Sequence, residues 1–211
     1  MNVIYLHGFA SSPASKKAQF FHRRFLEQGI KITIPSLDEG NFPELSLSRQ
    51  LRVVERESSG LPGVVIGSSM GGYLAALYAA RNPETQAAVL MAPAFDFAAR
   101  WRLRQGEAGM EEWRGTGWLP VFHYGEQGQS RVGYQLYEDA LQYEAYPEVR
   151  QPVLVLHGGK DEVVPVELSH RFGAGRTNVE LHVLDSDHEL TDVMDTLWET
   201  TWAFLGRHGL R

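Results

Sequence analysis

Gly67-Ser68-Ser69-Met70-Gly71 fits the pattern G-x-S-x-G, which sets one serine hydroxyl at a tight turn between glycines. Such a hydroxyl attacks a carbonyl carbon only when a base takes its proton. The pattern alone is weak, since it arises by chance in roughly one chain in ten of this size and glycine content. Its setting is stronger. Val64-Val65-Ile66 reads as a buried strand directly before it, and the Ala- and Leu-rich run from Met70 to Arg81 reads as a helix directly after it. A nucleophile elbow requires that strand–turn–helix order. The turn is sharp, so side chains larger than hydrogen at its flanks would clash with the neighbouring strand and helix. Free N–H groups at the helix start favour developing negative charge beside Ser69.

The partners of such a serine follow it in the order acid, then histidine. Two later apolar runs each end in a candidate. Val153-Leu154-Val155-Leu156 leads into His157-Gly158-Gly159-Lys160-Asp161, and Val179 to Leu184 leads into Asp185-Ser186-Asp187-His188. His188 is therefore expected as the base and Asp161 as the acid that fixes its tautomer and stabilises the imidazolium. Glu162 is the alternative acid. His157 and His182 lie on strands, where a structural role is expected. Asp185 and Asp187 are expected to shape the turn before His188 or cap the following helix. After the first strand, His7-Gly8-Phe9 forms the other half of the site. The backbone N–H groups of Phe9 and Met70 are expected as the oxyanion donors, with His7 bracing the loop. Ser11, Ser12 and Lys16 follow, either touching a polar substrate group or simply opening a helix.

Elements that alternate must position these residues. Val3 to Leu6, Ile32 to Ile34, Val64 to Ile66, Ala88 to Leu90, Val153 to Leu156 and Val179 to Leu184 read as strands. Ser15 to Gln28, Leu45 to Glu57, Met70 to Arg81 and Glu189 to Leu205 read as helices. Alternation of this kind predicts an α/β fold, a mostly parallel sheet of about six strands with helices on both faces. The strand signal lapses between Ala92 and Gln151 while aromatic residues accumulate. A structureless loop of that length is improbable. One domain over residues 1–211 is expected, with a partly helical cap inserted at about 95–146. Most cap aromatics should form its own core, while Phe95, Trp101 and Trp118 are expected to line an apolar acyl pocket.

Together these motifs resemble the α/β hydrolases, in particular the small bacterial esterases of the YqiA type and related acyl-thioesterase-like enzymes. The likeness rests on His7-Gly8-Phe9 with Ser11-Ser12-Pro13, on Gly67 to Gly72, on His157-Gly158 with Asp161 and Val164-Pro165, and on Ser186-Asp187-His188. It covers the whole chain except the cap. The resemblance implies hydrolysis of carboxylic esters or thioesters through an acyl-enzyme, with no cofactor. It also implies a sheet shorter than in larger members, because two strands that usually precede the oxyanion loop are missing.

Composition narrows the field. The formal net charge of -6 argues against a nucleic-acid partner, and the absence of cysteine removes thiolate nucleophiles, disulfides and cysteine metal sites. The eight histidines show no H-E-x-x-H spacing, so no metal is expected. Ser69 stands where dehalogenases and epoxide hydrolases carry Asp, which disfavours those chemistries. Asn2 to Leu6 is too short for a signal peptide and no run is long enough to span a membrane, so the cytoplasm is the expected compartment. The expected partner is a small acyl ester or thioester. Amide cleavage with the same residues and non-catalytic ligand binding are the alternatives.

Overall fold

The computed structural model describes residues 1–58 and 63–211. The chain runs β1 (Asn2–Leu6), α1 (Lys16–Glu27), β2 (Ile32–Thr33), α2 (Leu47–Ser58), β3 (Gly63–Ser68), α3 (Met70–Arg81) and β4 (Thr85–Met91). Then come α4 (Phe97–Thr116), β5 (Trp118–His123), β6 (Gly128–Gly133) and α5 (Gln135–Ala140). β7 (Val153–Gly158), α6 (Glu167–Gly173), β8 (Val179–Leu184) and α7 (Met194–Arg207) follow.

Six strands form one parallel sheet in the order β2-β1-β3-β4-β7-β8. Successive side chains on each strand point to opposite faces. Val3, Tyr5, Val64, Ile66, Leu154 and Leu156 meet Phe21 and Phe25 of α1 and Trp198 and Phe204 of α7. Ile4, Leu6, Val65, Leu90 and Val155 meet α2, α3 and Phe172 of α6 on the other side. Both faces are covered, which is why these strands read as unbroken apolar runs rather than alternating ones. The strand order reverses between β1 and β3, and the crevice at such a switch point is where open α/β sheets bind ligands.

Three elements differ from the sequence reading. The segment between β4 and β7 contains an antiparallel hairpin, β5–β6, beside its helices. Pro120 in the middle of β5 and the polar Gly128-Gln129-Ser130-Arg131 run of β6 hide it from propensity rules. Helix α6 was not expected at all. The last helix begins at Met194 rather than Glu189, because Leu190 adopts φ +53° and Asp187 ties off the turn before it. Among the described residues no helix is long and apolar enough to cross a membrane.

The segment between β4 and β7 lies over the loops that follow β1 and β2. The Gly125 N–H donates to the Ala10 carbonyl, Gln135 Nε2 donates to the Pro43 carbonyl, and the His123 ring meets Phe42 at 4.5 Å. Its three expected pocket residues part company here. Trp101 is partly buried and meets Phe9 edge-on at 5.3 Å. Phe95 is fully buried, stacked on Phe172 at 4.3 Å, and has no surface left for a substrate. Trp118 lies on the side of β5 opposite the inward-packed Leu119 and Val121, with the Arg131 guanidinium over its ring at 4.2 Å. Phe95 and Trp118 are therefore a core residue and an outward hairpin residue. Phe95→Ala should lower stability by about 3–5 kcal/mol in urea unfolding, the usual loss for a buried Phe.

Candidate active site

Backbone proximity builds this site before any side chain does. A Cβ on Gly67 would fall 2.0 Å from the Gly71 carbonyl oxygen, and one on Gly71 would fall 2.2 Å from that of Leu6 and 2.5 Å from that of His7. Only hydrogen fits at either place. β3 therefore turns straight into α3, and α3 starts against the end of β1. The residue at the apex, Ser69, has φ +55° and ψ -118°, a conformation that L-residues rarely adopt and that costs about 1–3 kcal/mol. Four hydrogen bonds hold it there. Its N–H donates to the Met91 carbonyl at 2.8 Å, and its carbonyl accepts from the Gly72, Tyr73 and Ala94 N–H groups.

The loops after β7 and β8 meet just as closely. A Cβ on Gly158 would lie 2.3 Å from the Asp187 carbonyl oxygen. The Lys160 N–H donates to the Ser186 carbonyl and the Gly159 N–H to that of Leu184. This brings the carboxylate of one loop to the imidazole of the other. His188 Nδ1 lies 2.7 Å from Asp161 Oδ2, and His188 Nε2 lies 3.0 Å from Ser69 Oγ. An ionised carboxylate only accepts, so His188 carries its proton on Nδ1 and leaves Nε2 free to accept from the serine hydroxyl. Asp161 Oδ1 accepts from the Val163 and Val164 N–H groups at 2.9 and 2.7 Å, and Oδ2 also lies 3.1 Å from His157 Nε2. Burial pushes the Asp161 carboxyl up, but the hydrogen bonds from His157, His188 and the Val164 N–H outweigh it. They hold the group well below the usual carboxylate range.

The alternatives sit elsewhere. Glu162 is exposed, and among the described residues no histidine pairs with it. His157 is wholly buried between Ser169 Oγ and the Val164 carbonyl, and it braces Asp161 rather than Ser69. His182 pairs with Glu180, and Asp185 with Lys160. Asp187 Oδ1 accepts from the Glu189 and Leu190 N–H groups and so shapes the turn. His7 is buried; its Nδ1 lies 3.1 Å from the Gly8 carbonyl and its Nε2 accepts from the Leu37 N–H at 3.4 Å. Burial lowers its pKa, so it remains a neutral brace. Ser12 accepts from the Ala14 N–H and opens α1.

Gly8 packs against Ser69, 3.4 Å separating its Cβ position from the Ser69 Cβ, so the loop after β1 lies alongside the serine. Among the described residues neither the Phe9 N–H nor the Met70 N–H finds an acceptor. Phe42 and Trp101 each pack against Phe9 beside that loop, with ring centroids 5.3 Å apart in both pairs.

Residues 2–205 match the model of the Uncharacterised protein family (UPF0227). The chain belongs to that family. It has the α/β-hydrolase fold. The mitochondrial palmitoyl-protein thioesterase ABHD10 of Bos taurus is 28% identical over 212 residues, covering 92% of this chain and 68% of that one. Alpha/beta hydrolase domain-containing protein 10 from mouse superposes with a TM-score of 0.83 at 21% identity, covering 98% of this chain and 90% of that one. The Paleococcus ferrophilus monoacylglycerol lipase superposes with a TM-score of 0.76 at 16% identity, covering 98% and 94%. This UPF0227 member thus shares its fold with hydrolases.

Two stability measurements check the geometry. Gly71→Ala should destabilise by at least about 1–3 kcal/mol in urea unfolding, the cost of forcing atoms into a packed site. Gly115→Ala, in α4 with nothing within 4 Å of its Cβ position, should be neutral or stabilising. The second concerns pH. Asp161 has a lower pKa folded than its unfolded value of about 3.9, so its contribution is complete above that pH and is lost as pH falls through the folded value. Wild-type stability should fall more steeply than that of Asp161→Asn on acidification below about pH 5, measured by urea midpoints.

Proposed function

We propose that this chain is a serine esterase that cleaves carboxylic esters through an acyl-enzyme. One observation carries the reading: Ser69 Oγ, His188 Nε2, His188 Nδ1 and Asp161 Oδ2 stand in a continuous hydrogen-bonded line of 3.0 and 2.7 Å. Ser69 Oγ attacks the substrate carbonyl carbon while its proton passes to His188 Nε2. The carbonyl oxygen, now an oxyanion, accepts from the Phe9 and Met70 N–H groups. His188 then gives the proton to the departing alkoxide, and the C–O bond breaks to leave the acyl group on Ser69. A water deprotonated by His188 attacks the same carbon, and the carboxylic acid leaves as Ser69 recovers its proton. Asp161 stays ionised throughout and stabilises the imidazolium. Phe9 and Trp101, both partly exposed, offer an apolar surface for the acyl chain, with the buried Phe42 behind Phe9.

Thioesters are the second reading. The 28% identity with a palmitoyl-protein thioesterase favours it, and the same residues serve, with a thiolate as leaving group.

Ser69→Ala and His188→Ala should each lose about 10⁶ in kcat on p-nitrophenyl esters, and Asp161→Asn about 10⁴, as in protease triads. Glu162→Gln should retain near wild-type rates. A Glu162→Gln loss exceeding that of Asp161→Asn would reassign the acid. Chain-length series of p-nitrophenyl esters beside acyl thioesters rank the two substrate classes by kcat/KM. Trp101→Ala should redistribute kcat/KM among chain lengths, because each buried methylene contributes about 0.8 kcal/mol or less. Equal loss on every chain length would instead make Trp101 a support of the fold.

A further inference from the structure

Helix α1 leaves the loop after β1 and packs on α7, with Phe21 and Phe25 meeting Trp198 at 6.2 and 5.0 Å between ring centroids. That packing fixes Lys17, one helical turn before Phe21. Lys17 is half-buried, and its Nζ donates to the Glu189 carbonyl at 2.6 Å, across 172 residues of sequence. Glu189 is the residue joined to His188. Burial lowers the pKa of this ammonium, opposed by the carboxylates of Glu189, Asp161 and Asp187. The turn it grips carries backbone strain. Leu190 is fully buried at φ +53°, in the region that disfavours L-residues. The Glu189 and Leu190 N–H groups are held by Asp187 Oδ1 at 2.9 and 3.3 Å. The Glu189 carbonyl is held by Lys17. The nearby Lys160–Asp185 pair differs in kind, joining two exposed side chains without touching the main chain.

We propose that Lys17 is a positioning residue for His188: its hydrogen bond to the Glu189 carbonyl fixes the peptide after the base, and so the distances from His188 to Ser69 and to Asp161. The inference rests on the serine-hydrolase reading of the site for its effect on rate. Removing the donor leaves the Glu189 carbonyl without its cation and lets the strained turn relax, moving the imidazole. A misplacement of about 1 Å at a reacting group costs up to about 100-fold in rate.

The test compares wild type with K17M, which keeps the length of the stem and removes the donor, with K17R, which restores one, and with K31M as an exposed lysine outside the site. A fluorophosphonate labels the activated serine regardless of which acyl substrate the protein prefers. K17M should phosphonylate Ser69 and turn over p-nitrophenyl acetate about 10- to 100-fold more slowly, with KM little changed. K17R should recover most of both rates, and K31M should match wild type. Proton NMR supplies a readout independent of turnover. The His188 Nδ1 proton, shared with Asp161, should give a far-downfield resonance in wild type that is shifted or lost to exchange in K17M. A folded K17M with wild-type phosphonylation and an unchanged resonance overturns the proposal, even if its Tm is lower, because that is the signature of a purely structural lysine. If K17M does not fold, K17R decides: recovered labelling and resonance support the proposal, and a folded K17R as slow as His188→Ala overturns it. Wild type that is not labelled at all refutes the nucleophile reading instead, and the resonance comparison still decides the role of Lys17.

Discussion

The Gly71 backbone passes so close to the Leu6 and His7 carbonyls that no side chain fits between them, and the rest of the site follows from that approach. It forces α3 to begin directly at the end of β3, which in turn holds Ser69 in a backbone conformation it would not choose. The about 1–3 kcal/mol stored there persists because the surroundings over-determine the turn. The Met91 carbonyl and the Gly72, Tyr73 and Ala94 N–H groups leave Ser69 no alternative path. The same approach sets the loop after β1 beside the serine, and among the described residues the Phe9 and Met70 N–H groups find no acceptor.

A second close approach, Gly158 against the Asp187 carbonyl, does for Asp161 and His188 what Gly71 does for Ser69. It joins the ends of β7 and β8 at a fixed distance. Electrostatics then complete the arrangement. Asp161 lies in a pocket that would favour its neutral form, but it is surrounded by donors from His157, His188 and the following main chain. The carboxylate remains charged and fixes the His188 tautomer. His157 contributes to this from the inside of the fold, held by Ser169, so α6 also bears on the charge state of Asp161.

Much of this was legible in the residues themselves. The central strands β1, β3, β4 and β7 are buried on both faces and so announce themselves as apolar runs, and Ser69, Asp161 and His188 each lie in the loop that follows a strand end. The glycines of the elbow are required by contacts too short for Cβ, which makes Gly67 and Gly71 chemically informative rather than merely permissive. What escaped was information carried by tertiary neighbours. The β5–β6 hairpin depends on Leu119 and Val121 finding an apolar surface, and neither Pro120 nor the polar β6 signals that locally. Phe95 and Trp118 look alike as cap aromatics, but Phe172 claims one and Arg131 the other. Lys17 reads as an ordinary first-turn lysine, and its partner lies 172 residues away on a main-chain carbonyl that no side-chain pattern encodes.

The role of Ser69 is tested most directly by trapping the covalent intermediate. Rapid acid quench after mixing with a p-nitrophenyl ester, followed by intact-mass and peptide-mapping mass spectrometry, should find the chain heavier by one acyl group, located on the peptide at Ser69. The accompanying release of p-nitrophenol should show a burst approaching one equivalent per chain. Steady turnover with no adduct, or an adduct that persists in Ser69→Ala, would contradict the assignment of Ser69 as the nucleophile.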